Sequence, residues 1–343
     1  MTVEEKALVE ELEVKQTKIF VPTNEIDLTG TELRDLKSVR ATDSGKICGP
    51  KAANLGQLKS LFPDKVPPGL VIPFAVFRRH LDQPMPGTDS TYWQFLQQSF
   101  RQADKENAQG QKAAEVERRL LARLARLHEA IREMPFLPEF KRSLQQKFRQ
   151  IFGVALGELP IFIRSDTNME DLENFTGAGL NLTVVNVLEK EAILQAIRDV
   201  WASPFTERSS RWRRKYLTNP ENVYPSLLLL PSVNVDKSGV MITSGLSTSN
   251  PADITVAFNW GVGGAVAGQA AETYLLRHDG VDVLLSPARQ PEFVYLPLTG
   301  GKEIRHAHFH KPILNRAERH KLRVFAAELR SVLPGTPGIK TAG

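Results

Sequence analysis

The spacing of apolar residues changes near Tyr224, and this change constrains the fold more than any other feature of the chain. Before it, apolar side chains recur every three or four residues, which predicts amphipathic helices over 113–134, over about 140–151 and over 190–202. After it come short apolar runs separated by Gly, Pro, Asn and Asp, a pattern typical of β-strands. A last amphipathic helix is predicted over 316–332.

This pattern predicts an α+β protein with two lobes. We assign residues 1–43 to an N-terminal extension and 44–224 to a first lobe with a helical insertion at about 90–155. Residues 225–343 form a second, sheet-rich lobe. The ending PGTPGIKTAG is typical of a linker, so we expect this second lobe to be truncated at its C-terminus.

Composition excludes several classes of protein. Cys48 is the only cysteine, so neither an intrachain disulfide nor a cysteine-based zinc site can form. No apolar run approaches the roughly 18 residues of a membrane span, and the N-terminus is acidic, unlike a signal peptide. We therefore expect a cytoplasmic protein with no membrane partner. With 44 basic and 39 acidic residues, the charge does not by itself predict a nucleic-acid partner.

The segment 161–183 has the outline of a phosphate site. Three apolar residues at the end of a predicted strand precede Arg164, whose planar guanidinium suits phosphate oxygens. Thr176, Gly177 and Gly179 then fit a backbone nest that holds an anion, although an ordinary loop fits them too.

Two carboxylates in the same segment, Glu170 and Asp171, have more than one interpretation. They could cap the next turn, form an ion pair with Arg164, or hold a magnesium ion beside phosphates. Lys51 is a separate candidate, in a Gly-Pro-Lys turn before a helix, where a lysine reaches a bound triphosphate while the helix amides point the same way. Most such turns are ordinary surface turns.

Three other patterns are weaker. On a strand, His306, His308 and His310 would share one face and could bind a metal, but an exposed polar face explains them better, and we predict no protein-held metal site. The glycine-rich stretch 259–272 lacks the spacing of a dinucleotide-binding loop. The basic cluster Arg208 to Lys215 could bind a polyanion or could be a solvated helix face.

Taken in order, the motifs resemble the N-terminal nucleotide-binding domain shared by phosphoenolpyruvate synthase, pyruvate phosphate dikinase, rifampicin phosphotransferase and the glucan, water dikinases. GPKAANLGQL resembles GGKGANLGEL, and VPPGLVIPFAVFRRHL resembles VPPGFVVTTEAYRRFL. RSDTNMEDLENFTGAGL is most similar to RSDSNGEDLEGYAGAGL of the glucan enzymes. IRDVWASPFTER, SGVMIT and NWGVGGAVAGQ also have counterparts, so the resemblance covers about residues 44–300.

The resemblance implies an ATP-grasp-like fold, two lobes closing over ATP, with Mg²⁺ expected. Lys51 and Arg164 would bind the ATP phosphates and serve as the catalytic residues. Glu170 and Asp171 would order their loop, and the segment from Thr176 through Gly177 to Gly179 would cover the phosphates. The remaining implied nucleotide-binding residues are Thr167 in the phosphate motif and Leu229, Leu230 and Val233 in the adenine-binding segment.

The chain departs from the family pattern at several positions. Leu230 and Ser232 stand where a Gln-x-Met pattern is usual, and Gly264 replaces a glutamate of the cleft. The closing strand with its glutamate and Gln-x-Arg motif is absent from the sequence, as is the glycine- and serine-rich context of a phosphorylated histidine.

Three functions therefore compete. The first is an ATP-binding dikinase-type domain that phosphorylates a histidine on another domain or protein. The second is a non-catalytic nucleotide-binding module that keeps the fold. The third is a polyanion-binding protein that uses the Arg208 to Lys215 cluster; a nucleic-acid partner is the least expected.

Overall fold

The computed structural model describes residues 18–170, 182–244, 250–263 and 270–333. The chain forms two compact units with mixed α and β structure. Unit 1 extends to Leu156 and also includes Ile163–Val184 and Glu191–Leu230. Unit 2 comprises Gly157–Phe162, Val185–Lys190 and the chain from Pro231.

The elements up to the end of unit 1 are, in chain order, β1 (Arg34–Asp35), α1 (Pro50–Leu61), β2 (Leu70–Ile72), α2 (Phe74–His80), α3 (Tyr92–Ala108), α4 (Ala113–Arg132), α5 (Pro138–Phe152), β3 (Ile161–Thr167), β4 (Thr183–Val187), α6 (Lys190–Ala202), α7 (Glu207–Tyr216) and β5 (Pro225–Pro231). The strands form one sheet in the order β1-β2-β5-β3-β4. The sheet places β3 beside β5, although about 60 residues separate the two strands in the sequence.

The predicted apolar stripes are buried. In α4 the stripe from Val116 to Ile131 is fully buried, and Phe140, Leu144 and Phe148 of α5 are buried too. Burial of such a stripe is the main source of stability for helices of this length. Trp201 of α6 is the largest fully buried side chain and packs against Phe77 and His80.

Residues 18–43, assigned above to an extension, take part in unit 1. Their apolar side chains Val21, Leu33 and Leu36 are buried, and β1 pairs with β2. These residues have no helical or alternating period, so the sequence pattern alone did not predict their burial.

Unit 2 is built on an antiparallel sheet. Its elements are β6 (Lys237–Ile242), β7 (Ile254–Trp260), β8 (Glu272–Leu276), β9 (Asp282–Ser286), β10 (Glu292–Tyr295), β11 (Glu303–His306) and α8 (Arg316–Val332). β6 to β9 pair in sequence order, and β10 and β11 form a separate antiparallel pair. Ile254, Val256 and Tyr274 form a core with Leu314 and with Ala326 of α8. Among the described residues, no helix is both long and apolar enough to cross a membrane.

Candidate functional site

The N-terminus of α1 lies against β3 and is held there by a buried carboxylate. One oxygen of Asp166, Oδ1, accepts a hydrogen bond from the amide of Lys51, and the other, Oδ2, accepts one from the amide of Ala52, both at 2.9 Å. Asp166 is completely buried. Gly49, the residue before the helix, has no side chain to cap it, so Asp166 supplies the acceptors from another element.

Ser226 of β5 completes this junction. Its hydroxyl accepts a hydrogen bond from the amide of Gly49 at 3.0 Å and donates one to the carbonyl of Asp166 at 2.6 Å. A methyl group at Gly49 would overlap the carboxylate of Asp166, so this position requires glycine. Three elements far apart in sequence thus meet through buried hydrogen bonds.

The side chain of Lys51 is fixed beside the end of β3. Its ammonium forms an ion pair with Glu170 and donates to the carbonyl of Ser165 at 3.2 Å. Glu170 is nearly buried and also accepts a hydrogen bond from the amide of Thr167 at 3.2 Å. The Lys51 side chain is 33% exposed, so part of it faces solvent.

Burial changes the titration of Asp166. Loss of solvation, followed by the nearby charge of Glu170, raises the pKa of Asp166 to about 7, although the Ala52 and Lys51 amides and the Lys51 ammonium oppose this. Burial, helped by the charges of Asp166 and Asp43, also raises the pKa of the Cys48 thiol. Cys48 is therefore a neutral, unreactive thiol at neutral pH.

Arg164 is the other predicted phosphate-binding residue, and it lies on the same face of β3 as Asp166 because strand side chains alternate. It is partly buried. Within the described part of the chain, its guanidinium has no hydrogen bond or ion pair, since Glu170 pairs with Lys51 instead. Arg164 and Lys51 therefore differ: one cation is paired and the other is available.

The remaining predicted site residues are distributed as follows. Thr167 is buried and contributes its amide to Glu170. Leu229 and Leu230 are buried on β5, where Leu229 is paired with Leu70, while Val233 belongs to unit 2 and is half exposed. Four predicted residues lie outside the described ranges: Asp171, Thr176, Gly177 and Gly179.

Asp166, Ser226 and Gly49 were not predicted from the sequence. A signal was available for Asp166: an aspartate two residues after Arg164 on a strand must share its face, and a buried carboxylate needs donors. Which donors it uses follows only from the fold, because Lys51 is more than 100 residues away in sequence.

The other candidate patterns are placed as follows in the described ranges. β11 ends at His306, so His308 and His310 lie beyond the strand, and all three histidines are exposed. No group of three potential metal ligands is found among the described residues. In the basic cluster of α7, Arg211 is ion-paired with Glu117 and Glu207, and Arg213 is buried.

The chain is similar to proteins named phosphoenolpyruvate synthase and rifampicin phosphotransferase. A phosphoenolpyruvate synthase of Aeropyrum pernix is 27% identical over 225 residues, which is 65% of this chain and 25% of that protein. A phosphoenolpyruvate synthase of Pyrococcus furiosus is 30% identical over 143 residues, 41% of this chain and 17% of that protein. A rifampicin phosphotransferase of Streptomyces sviceus is 26% identical over 258 residues, 74% of this chain and 27% of that protein.

The chain thus spans less than a third of the length of these relatives. The family model of the AMP/ATP-binding domain of pyruvate phosphate dikinase matches residues 45–329. This range contains α1, β3, β5 and the junction between them. Because the match extends over most of the sequence, the chain belongs to the family of pyruvate phosphate dikinase AMP/ATP-binding domains.

Proposed function

We propose that this chain binds ATP in an ATP-grasp-like manner and provides the nucleotide site of a dikinase-type phosphotransferase. Lys51 and Arg164 bind the phosphates, Glu170 and Asp171 order the loop after β3, and Leu229, Leu230 and Val233 supply main-chain contacts to adenine. Thr167, Thr176, Gly177 and Gly179 complete the phosphate loop. The phosphate acceptor is a histidine on another domain or protein, and the location is cytoplasmic.

The observation that carries this proposal is the placement of Lys51. Its ammonium is held at the end of β3 by Glu170 and the Ser165 carbonyl, while its own amide is held by Asp166. A lysine fixed at both ends loses less side-chain entropy when an anion binds. Arg164 lies on β3, as Asp166 does, and is unpaired among the described residues. It supplies a second positive charge.

The N-terminus of α1 contributes less to the proposed phosphate binding than the sequence suggests. Free amides at a helix N-terminus attract phosphate. Here the amides of Lys51 and Ala52 already donate to Asp166. The proposed phosphate contacts therefore come from the side chains of Lys51 and Arg164, with the helix serving as their support.

Magnesium would accompany the nucleotide. Mg²⁺ is usually held by one or two carboxylates together with substrate phosphates. Glu170, whose carboxylate already lies at Lys51, is the described residue that fits this role. Bound there, the ion would neutralise charge on the phosphates, while Lys51 and Arg164 hold their oxygens.

Binding is tested with Lys51→Ala and Arg164→Ala. Each variant loses a hydrogen bond to a charged group, worth about 1.5–3 kcal/mol, so the affinity for MgATP should fall from about tenfold to over a hundredfold. Isothermal titration calorimetry measures this change. Lys141→Ala and Arg149→Ala, exposed residues of α5, are matched controls that should keep the wild-type affinity. Unchanged affinity in both site variants would reject the proposal.

A non-catalytic nucleotide-binding module is the second candidate. The ion pair between Lys51 and Glu170 favours it, because a lysine neutralised by its neighbour stabilises a transferring phosphate less. The two functions differ in their product. Release of AMP from ATP, up to one equivalent per added phosphohistidine domain of a phosphoenolpyruvate synthase and followed by chromatography, supports the transferase; ATP binding without AMP supports the module.

A further inference from the structure

A second cationic region of unit 1 lies in the helical insertion, away from β3. α3 and α4 pack against each other, and a groove of about 500 Å³ is bordered by both helices. Its lining includes three basic residues, Arg101 and Lys105 of α3 and Arg123 of α4. Gln98 and Gln102 of α3 add amide groups that can donate hydrogen bonds.

The spacing on α3 explains why these side chains line one groove. Gln98, Arg101 and Lys105 are three and four residues apart and therefore lie on one helical face, next to Gln102. Arg123 faces them from α4. No acidic side chain is among the described residues that line the groove.

The carboxylate of Glu106 contacts two residues of the groove and already has hydrogen-bond partners. Glu106 accepts hydrogen bonds from Gln102, from Arg119 at 2.9 Å and from Arg123 at 3.2 Å. These bonds, that from Gln102 first, lower the pKa of Glu106 to about 2, so it stays ionised. Arg119 and Arg123 share the single negative charge of Glu106, so the side chains around the groove keep an excess of positive charge.

The other two cations of the groove form no ion pair within the described part of the chain. Arg101 and Lys105 make no side-chain hydrogen bond or ion pair with any residue in the described ranges. Like charges four residues apart destabilise a helix. One nitrogen of Arg123, Nη1, is buried and has no hydrogen-bond partner among the described residues. Both features favour a bound anion, which would offset the repulsion and give this nitrogen an acceptor after a small rotation of the guanidinium.

We propose that this groove binds an oligophosphate, either free or carried by a small molecule. Three converging cations match a ligand with several negative charges better than a single phosphate. The glutamine amides can donate to further phosphate oxygens. Phe95 also lines the groove, but the guanidinium of Arg126 lies over its ring at 5.5 Å. Because this ring face is already covered, the groove recognises the phosphate chain of the ligand.

Tripolyphosphate is the probe for this site, measured by calorimetry in a Lys51→Ala/Arg164→Ala background so that the proposed ATP site does not contribute. Adding Arg101→Gln/Lys105→Gln should weaken binding at least about tenfold, because two charged contacts are lost. Lys141→Gln/Arg142→Gln makes the same charge change on exposed residues of α5 and should alter affinity less than about twofold.

The outcomes separate clearly. If both double variants weaken tripolyphosphate binding equally, the effect is one of net charge and the proposal is overturned. An absence of binding in the background protein would overturn it as well. Selective loss at the groove supports it. Comparing tripolyphosphate with ATP then identifies the source: equal affinities indicate the free chain, and tighter ATP binding indicates a nucleotide carrier. Since ATP binding at Lys51 is tested separately, either proposal can fail alone.

Discussion

The two cationic regions of unit 1 are built in opposite ways. Around Lys51, main-chain amides, a buried aspartate and a nearly buried glutamate fix the position of one ammonium. In the α3–α4 groove, Arg101 and Lys105 lie on the surface with no partner in the described part of the chain. In the Lys51 region, neighbouring groups hold one ammonium in place. In the groove, Arg101 and Lys105 have no such support in the described part of the chain.

This difference determines what a mutation should do. At the Lys51 region the acidic residues are part of the support, so removing them should damage both stability and binding. At the groove the acidic residue Glu106 competes with a ligand for Arg123. Removing it should improve anion binding, although the three hydrogen bonds that it accepts are lost as well.

The largest expected effect is that of Asp166→Ala. The change leaves the amides of Lys51 and Ala52 without an acceptor at a buried helix terminus, and should lower the free energy of unfolding by about 2–4 kcal/mol. Urea denaturation measures it. Asp104→Ala, an exposed aspartate of α3, should stay within about 0.5 kcal/mol of wild type. Similar losses in both variants would mean that the carboxylate at β3 is not a structural support.

Much of the fold was predictable from the sequence because most elements are periodic. The helices 190–202 and 316–332 match the structure at both ends, and the apolar stripe of α4 is buried. The helix α3 lies within the predicted helical insertion but was not predicted as a separate element, since Ser99 and Glu106 interrupt its buried face. The strands β9 and β11, four or five residues long, were missed because their pairing depends on neighbouring strands.

The site was predicted less completely than the fold. Lys51 and Arg164 stay predictions as phosphate-binding residues; the sequence points to them because a cation beside a predicted strand or helix end is a local pattern. Asp166 and Ser226 were missed because their partners are on other elements, about 60 residues or more away in sequence. The local signal at Asp166, its place on the same strand face as Arg164, does not identify its partners, and the buried state of Asp166 contradicts the usual exposure of aspartate.

A second prediction concerns pH. The pKa of Asp166 is raised from 3.8 to about 7 in the folded protein, so the folded state binds more protons than the unfolded state between these values. Asp166 should therefore destabilise the fold progressively as the pH rises from 4 to 7, by at most about 1.4 kcal/mol per pH unit. His80, whose pKa is lowered to about 4 chiefly by burial, acts in the opposite direction up to about pH 6.5.

The contribution of Asp166 is isolated with Asp166→Asn, which keeps His80 but removes the titrating carboxyl. The difference in unfolding free energy, wild type minus variant, should decrease from pH 5 to pH 7. Chemical denaturation at each pH measures this difference. The charged groups that act on Asp166 are Glu170 and Lys51. A difference that stays constant across this range would show that Asp166 does not titrate there.

The smallest expected effects are those of substitutions at two glutamates, Glu170 in the Lys51 region and Glu106 beside the groove. Glu170→Gln removes the ion pair that positions Lys51, and we expect MgATP to bind several-fold more weakly. Glu106→Gln frees Arg119 and Arg123, and tripolyphosphate should bind several-fold more tightly. Simple electrostatics predicts tighter anion binding in both variants, because each loses one negative charge. The sign of the change at Glu170, measured by calorimetry with MgATP and again with ATP alone to separate any role of Glu170 in holding Mg²⁺, therefore decides whether positioning or net charge governs the Lys51 region.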